Sequence, residues 1–144
     1  MDYHAAFQIS ASGMAVEKMR LDVTAANIAN MNTAAASAGQ VFQPLRVVAR
    51  ANTLNFSQQF GQLAAVTGGG VQVTAVEPQP VAPRMVYEPG HAYADSKGFV
   101  AYPGVNHTAE MLTINSALRA YEANVAAMSA AKAMATRALE IGGK

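Results

Sequence analysis

From about Tyr3 to Met31, apolar residues return every seven positions. Phe7, Met14, Leu21 and Ile28 make one row, with Ala11 and Ala25 interleaved, which is the spacing of a helical seam that meets another helix. Ile9, Val16 and Val23 make a second row, offset by two residues. That offset is about 200° around a helix, so the two rows lie almost opposite each other. A helix covered on one side has no use for both, and the pattern predicts one contacted from two sides. The segment from about His107 to Ile141 behaves alike: Met111, Ile114, Leu118, Tyr121, Val125, Met128, Ala135 and Leu139 step by threes and fours, broken only by Lys132. Beside that seam runs a small-residue face of Ala120, Ala123, Ala127, Ala131 and Ala138. Thr108, followed by Glu110, is expected to open this helix, and Gly142-Gly143 to stop it. At 1.5 Å per residue the two helices extend about 40 and 50 Å.

Between them the chain changes character. Residues 35–106 hold all six prolines and eight of the eleven glycines, which breaks helical continuity. Val71-Gln72-Val73-Thr74-Ala75-Val76 alternates and reads as a strand after the Gly68-Gly69-Gly70 turn. Leu45–Val48 and Arg84–Tyr87 are weaker strand candidates, Ala51–Gly70 reads as a mobile loop, and Pro78, Pro80 and Pro83 as a stiff connector. The division is therefore an N-terminal helical arm over 1–34, a β-rich middle module over 35–106 and a C-terminal helical arm over 107–144. The fold class is α+β, with long terminal helices pairing as a coiled coil and a small β-rich module between them.

Composition turns this outline toward assembly. Hydrophobic residues reach 51%, yet aromatics are only 7% and tryptophan is absent, which suits thin interhelical contacts. Charged residues are 13%, against roughly 25% in ordinary soluble domains. Such a surface belongs to a subunit buried among neighbours, and its arms are expected to be partly disordered while it is free. A net charge of +1 supplies no field for nucleic acid. The absence of cysteine excludes disulfides and thiol chemistry. The start, Met1-Asp2-Tyr3-His4, lacks the basic region of a secretory signal, and the uncharged stretch from Val23 to Leu45 carries too many amides to enter a membrane.

Candidate chemistry is sparse. His4, His91 and His107 lack metal-ligand spacing, and Gly68–Gly70 precedes a strand where a phosphate loop needs a helix. Glu88 and Asp95 can face each other across a loop, but nothing near them supplies a pocket. Met111, Met128 and Met134 read as gap-fillers, and Lys18, Arg20, Arg119, Lys132 and Arg137 as interhelical pairs. No catalytic residue, metal or cofactor is expected.

Asp22-Val23-Thr24-Ala25-Ala26-Asn27-Ile28-Ala29-Asn30 sets two amides inside an apolar pattern. Buried amides need partners, and an asparagine pair in a helical seam can fix the register between subunits. Together with Ser10-Ala11-Ser12-Gly13-Met14 and Arg20-Leu21, this stretch resembles the N-terminal signature of flagellar rod and hook proteins. Tyr87-Glu88-Pro89-Gly90-His91, Gly98-Phe99-Val100-Ala101-Tyr102-Pro103, Arg119-Ala120-Tyr121-Glu122-Ala123-Asn124 and Ala138-Leu139-Glu140-Ile141-Gly142 are similar to the rod subunits of the flagellar basal body, those of the proximal rod in particular. The resemblance covers about two thirds of the chain in the right order.

The resemblance implies a structural subunit whose paired terminal helices stack inside a tube, with the middle module outside. It implies as partners copies of the chain, other rod proteins and the adaptor to the membrane ring. It further implies passage through the flagellar type III export apparatus without a cleavable signal, and a place in the periplasm-spanning rod. Neither nucleic-acid binding nor membrane insertion is implied. The expected subunit contacts are Phe7, Ile9, Met14, Val16, Leu21, Val23, Asn27, Ile28 and Asn30 in the first arm. In the second they are Met111, Ile114, Leu118, Tyr121, Asn124, Val125, Met128 and Leu139. Two alternatives stay open on sequence: a self-contained helical module that binds a small ligand, and a different axial or secretion-system subunit.

Overall fold

The computed structural model describes residues 3–52 and 69–142. Helix α1 spans Tyr3–Asn30, an alanine-rich stretch without proline. It ends in a turn in which the amides of Met31 and Thr33 donate to the carbonyls of Ile28 and Asn30. A 3-10 turn over Ala38–Gln40 leads to strand β1 (Leu45–Ala51), followed by β2 (Val71–Pro78), β3 (Arg84–Tyr87), β4 (Phe99–Tyr102) and helix α2 (His107–Gly142). The architecture is α+β: two long terminal helices and a small antiparallel β middle. The expected loop over 51–70 falls mostly on 53–68, outside the described residues.

Strands β1 and β2 form one two-stranded sheet, β3 and β4 another. In the first, Asn52 N–H donates to Gly70 O (2.9 Å), the Thr74 hydroxyl donates to Val48 O, and Arg46 pairs with Glu77. The partners run in opposite order along the chain, so the strands are antiparallel. In the second sheet Arg84 faces Tyr102 and Tyr87 faces Phe99, and Ala35 bridges to Ala101 beside it. Strand β4 was not expected, because four residues without alternation and with Pro103 immediately after give no periodic signal. The pairing with β3 makes it a strand.

Helix α2 starts at His107, two residues earlier than a Thr108 cap would place it. The Asn106 side chain accepts the Ala109 amide (3.1 Å), and the Asn106 carbonyl accepts the Glu110 amide. Asn106 is therefore the cap: its amide oxygen satisfies the N–H group three residues on.

The described residues fall into two compact units. One contains those of 1–19, 48–75 and 117–144. Here Val16, Ala117 and Ala131 are buried with Ser10, and α1 meets α2 at Gly13, where a side-chain Cβ would stand 2.8 Å from the Asn124 amide. The other unit contains residues 20–47 and 76–116. Its core is Val23, Val41, Val100 and Ala101, with Pro44 and Pro103 also buried. In it Asn27 of α1 reaches Glu110 of α2.

Candidate assembly surface

Among the described residues no buried apolar side chain is larger than valine or proline, while Leu112, Leu139 and Ile141 are 70, 77 and 82% exposed. Among the described residues the fully covered positions are thus small, while several large apolar side chains stand open. On α2 the covered row is Ala117, Asn124 and Ala131 at intervals of seven, with Glu110 one step before and Ile114, Ala120, Met128 and Ala135 half-covered beside it. The expected seam is divided: Met111, Leu118, Tyr121, Val125 and Leu139 are exposed, while Ile114, Met128 and Ala135 are half-covered. Within the expected small-residue face, Ala131 is buried and Ala120 half-covered, while Ala123, Ala127 and Ala138 are exposed. At Gly13 the approach is close enough that a Cβ there would stand 2.8 Å from the Asn124 amide, which leaves no room for a bulky side chain at that point.

On α1, Val16 and Val23 are buried, Phe7, Met14, Leu21 and Ile28 are half-buried, and Ile9 is exposed. The helix is contacted from two directions. In the first unit Gly13 meets α2, while the Ser12 hydroxyl donates to Ile9 O (2.8 Å) and accepts the Val71 amide (3.1 Å), holding the start of β2. Ser12 was missed as a working residue, because a hydroxyl on a helix face has no distinguishing signal until its partner strand is placed.

The asparagines divide. Asn27 is 2% exposed and pairs with both peptide groups of Leu45: its Oδ1 accepts Leu45 N–H (2.8 Å) and its Nδ2 donates to Leu45 O (2.9 Å). The same Nδ2 donates to Glu110 Oε2 (3.3 Å). The amides of Asn30 and Asn124 instead donate one turn back along their own helices, to Ala26 O and Ala120 O. In this subunit the Asn27 amide is thus committed within the chain. A groove of about 160 Å³ beside it is lined by Arg20, Arg46 and Glu110 with Thr24, Gln79 and Thr113, groups of both charge signs.

Tyr87–His91 and Gly98–Pro103, separate in sequence, are the two sides of the β3–β4 hairpin. Tyr87 and Phe99 meet edge to face at 5.4 Å, and Gly98 turns the chain with φ +80°, where a Cβ would strike the Tyr87 ring. Glu88 and Asp95 do not form a pair. Glu88 accepts the Tyr102 hydroxyl (3.0 Å), which raises the phenol above its ordinary range. Asp95 Oδ1 accepts the Phe99 and Lys97 amides (2.9 and 2.8 Å), a loop-closing arrangement. The Phe99 bond foremost, with the Lys97 amide and ammonium behind it, holds its carboxyl below the ordinary range against the opposing effect of desolvation. A carboxyl lowered in the folded state stabilises the loop above its unfolded pKa, and that contribution is lost as pH falls through the lowered value. A carbon-detected NMR titration is expected to give Asp95 a lower midpoint in the folded chain than in urea. Equal midpoints would refute the loop role.

His4 contacts Gln8 and His91 accepts the Tyr93 amide. Among the described residues no group of three or more His, Cys, Asp or Glu is arranged to hold a metal, and no helix is long and apolar enough to cross a membrane.

Both helices match models of flagellar rod families. Residues 7–36 match the flagella basal body rod protein family, and residues 96–141 match the C-terminal family of the flagellar basal body rod FlgEFG proteins. The chain is 34% identical over 136 residues to the flagellar basal-body rod protein FlgC of Yersinia enterocolitica, covering 94% of this chain and 95% of that one. It is 33% identical to FlgC of Salmonella typhimurium over the same shares. Against FlgC of Bacillus subtilis it is 34% identical over 141 residues, covering 93% and 94%. Similarity of this extent, running through helices, hairpin and caps alike, means that the chain belongs to the FlgC family of flagellar basal-body rod proteins, structural subunits and not enzymes.

Proposed function

We propose that this rod subunit assembles through its terminal helices, and that the open row of α2, Met111, Leu118, Val125 and Leu139, carries the main contact with its neighbours. Tyr121 extends that surface, and Ile9 offers an exposed contact on α1. Phe7, Met14, Leu21 and Ile28, with Ile114 and Met128, are half-covered in the subunit and are completed by the neighbour. Val16, Val23, Asn27, Asn30 and Asn124 shape the helices from within. The neighbours are copies of the chain and other rod proteins, together with the adaptor to the membrane ring. The assembled helices transmit torque along a rod that crosses the periplasm. The subunit reaches that place through the flagellar type III export apparatus, without a cleavable signal.

The observation that carries this reading is the distribution of side-chain size among the described residues: the fully buried apolar side chains are alanine, valine and proline, while Leu112, Leu118, Leu139, Ile141 and Met134 stand exposed on α2. Covering each open side chain is worth on the order of 1 kcal/mol or more, and four on one helix, interrupted by Lys132, add up to a drive for association. The chain has no native cysteine, so a single Leu118→Cys or Val125→Cys gives a unique thiol. In extracted basal bodies, thiol cross-linkers are expected to join these positions to neighbouring rod subunits, while Ser96→Cys on the hairpin loop gives far less product. Absence of cross-linked species at both helix positions would exclude α2 as the main contact.

A further inference from the structure

Leu45 opens strand β1, where its peptide N–H and C=O need partners. Asn27 supplies both, at 2.8 and 2.9 Å, so a side-chain carboxamide stands where a neighbouring strand's peptide group would. The same amide nitrogen reaches Glu110 in the first turn of α2 at 3.3 Å. The three residues are separated by 18 and 83 positions in sequence, yet they meet around one side chain that is 2% exposed. An amide buried to this degree is costly unless its donors and acceptor are all used. It is satisfied only when the end of α1, the start of β1 and the start of α2 are in place together. No buried side-chain nitrogen or oxygen among the described residues lacks a partner. The Asn30 side chain, three residues on in the same motif, donates to Ala26 O one turn back, a bond within α1 itself.

We propose that Asn27 is an intrasubunit latch, closing the second unit around α1 in the free chain before any neighbour is met. The latch sets an order of events: the unit containing residues 20–47 and 76–116 is shaped first, and assembly uses it ready-made. This differs from a free subunit with disordered arms, and from an asparagine pair that fixes register between subunits. It does not depend on which face of α2 carries the assembly contact.

Residue-resolved amide hydrogen exchange on the purified full chain tests it. The Leu45 amide is expected to be protected in the wild type. Asn27→Ala is expected to speed its exchange by about tenfold or more, the loss of one well-made hydrogen bond to a buried group. Asn30→Ala is expected to leave it unchanged. If Asn27→Ala unfolds the whole chain, Glu110→Ala supplies a second measurement, since it removes one of the three bonds and spares the pair with Leu45. Faster exchange at Leu45 in Glu110→Ala supports the latch. Exchange of wild-type Leu45 at the rate of an unstructured peptide overturns it, as does equal loss of protection in Asn27→Ala and Asn30→Ala.

Discussion

Cells whose only copy of this chain carries Leu118→Asp are expected to be non-motile, although the altered subunit folds and is exported. Leu118 is 43% exposed in the subunit, so a carboxylate there remains hydrated while the subunit is free. In the assembly the same group would be desolvated against apolar neighbours, and an unpaired buried charge costs roughly 3–5 kcal/mol. The penalty recurs at every copy, where the normal contact contributes only on the order of 1–3 kcal/mol. Leu118→Met, which keeps volume and polarity, is expected to swim normally. Leu21→Asp is expected to abolish motility as well, but with some loss of subunit stability, because Leu21 is half-buried within the subunit. Swimming rings of normal diameter for Leu118→Asp would contradict the proposed packing, whatever its effect on the isolated chain.

Replacing Gly13 by leucine should have the next largest effect, this time on the subunit itself. Even a Cβ at position 13 would lie 2.8 Å from both Asn124 amide atoms, and that amide is anchored to Ala120 O at 2.9 Å. Leucine gains up to about 1 kcal/mol of helix propensity over glycine. Overpacking of a close helix contact costs about 1–3 kcal/mol, and a whole side chain sits at the upper end. The net result is a destabilised subunit, seen as a lower midpoint in thermal or urea unfolding. Asn124→Ala in the same chain removes the obstruction and is expected to restore most of the loss, leaving the propensity gain. If the double variant is as unstable as Gly13→Leu alone, the clash lies elsewhere and the helix pairing at 13 and 124 is wrong.

Much of the fold was legible in local spacing. The rows at intervals of three, four and seven named the helices nearly to their ends, because a helix of that length has to repeat its apolar positions to be held at all. The alternation at Val71–Val76 located β2 for the same reason. Which row faces inward was less legible. Leu118 and Ala117 sit side by side on α2 and both recur at seven, and hydrophobicity alone favours burying the leucine. The tertiary contact decides: α1 approaches α2 at Gly13 closely enough to meet the Asn124 amide, and Ala117, seven residues before Asn124, is the buried one of the two. The hairpin gave a different difficulty. Phe99–Tyr102 is a strand because Arg84–Tyr87 pairs with it, and pairing across eleven intervening residues leaves no periodic trace.

Periodicity, proline and glycine placement and the scarcity of charge are local or additive properties of the chain, and they sufficed for two long helices, a β-rich middle and a subunit that needs neighbours. Roles that depend on partners distant in sequence were settled by the tertiary structure alone. Asn27 and Asn30 occupy the same motif and the same helix, yet one closes on Leu45 and Glu110 while the other folds back on its own turn. Ser12 holds β2 through Val71, 59 positions away, and Asp95 and Glu88 are spent on separate loop and strand contacts. A hydrogen bond is directional and short, so which amide or carboxylate makes it is decided only when both ends of the bond have been brought within about 3 Å.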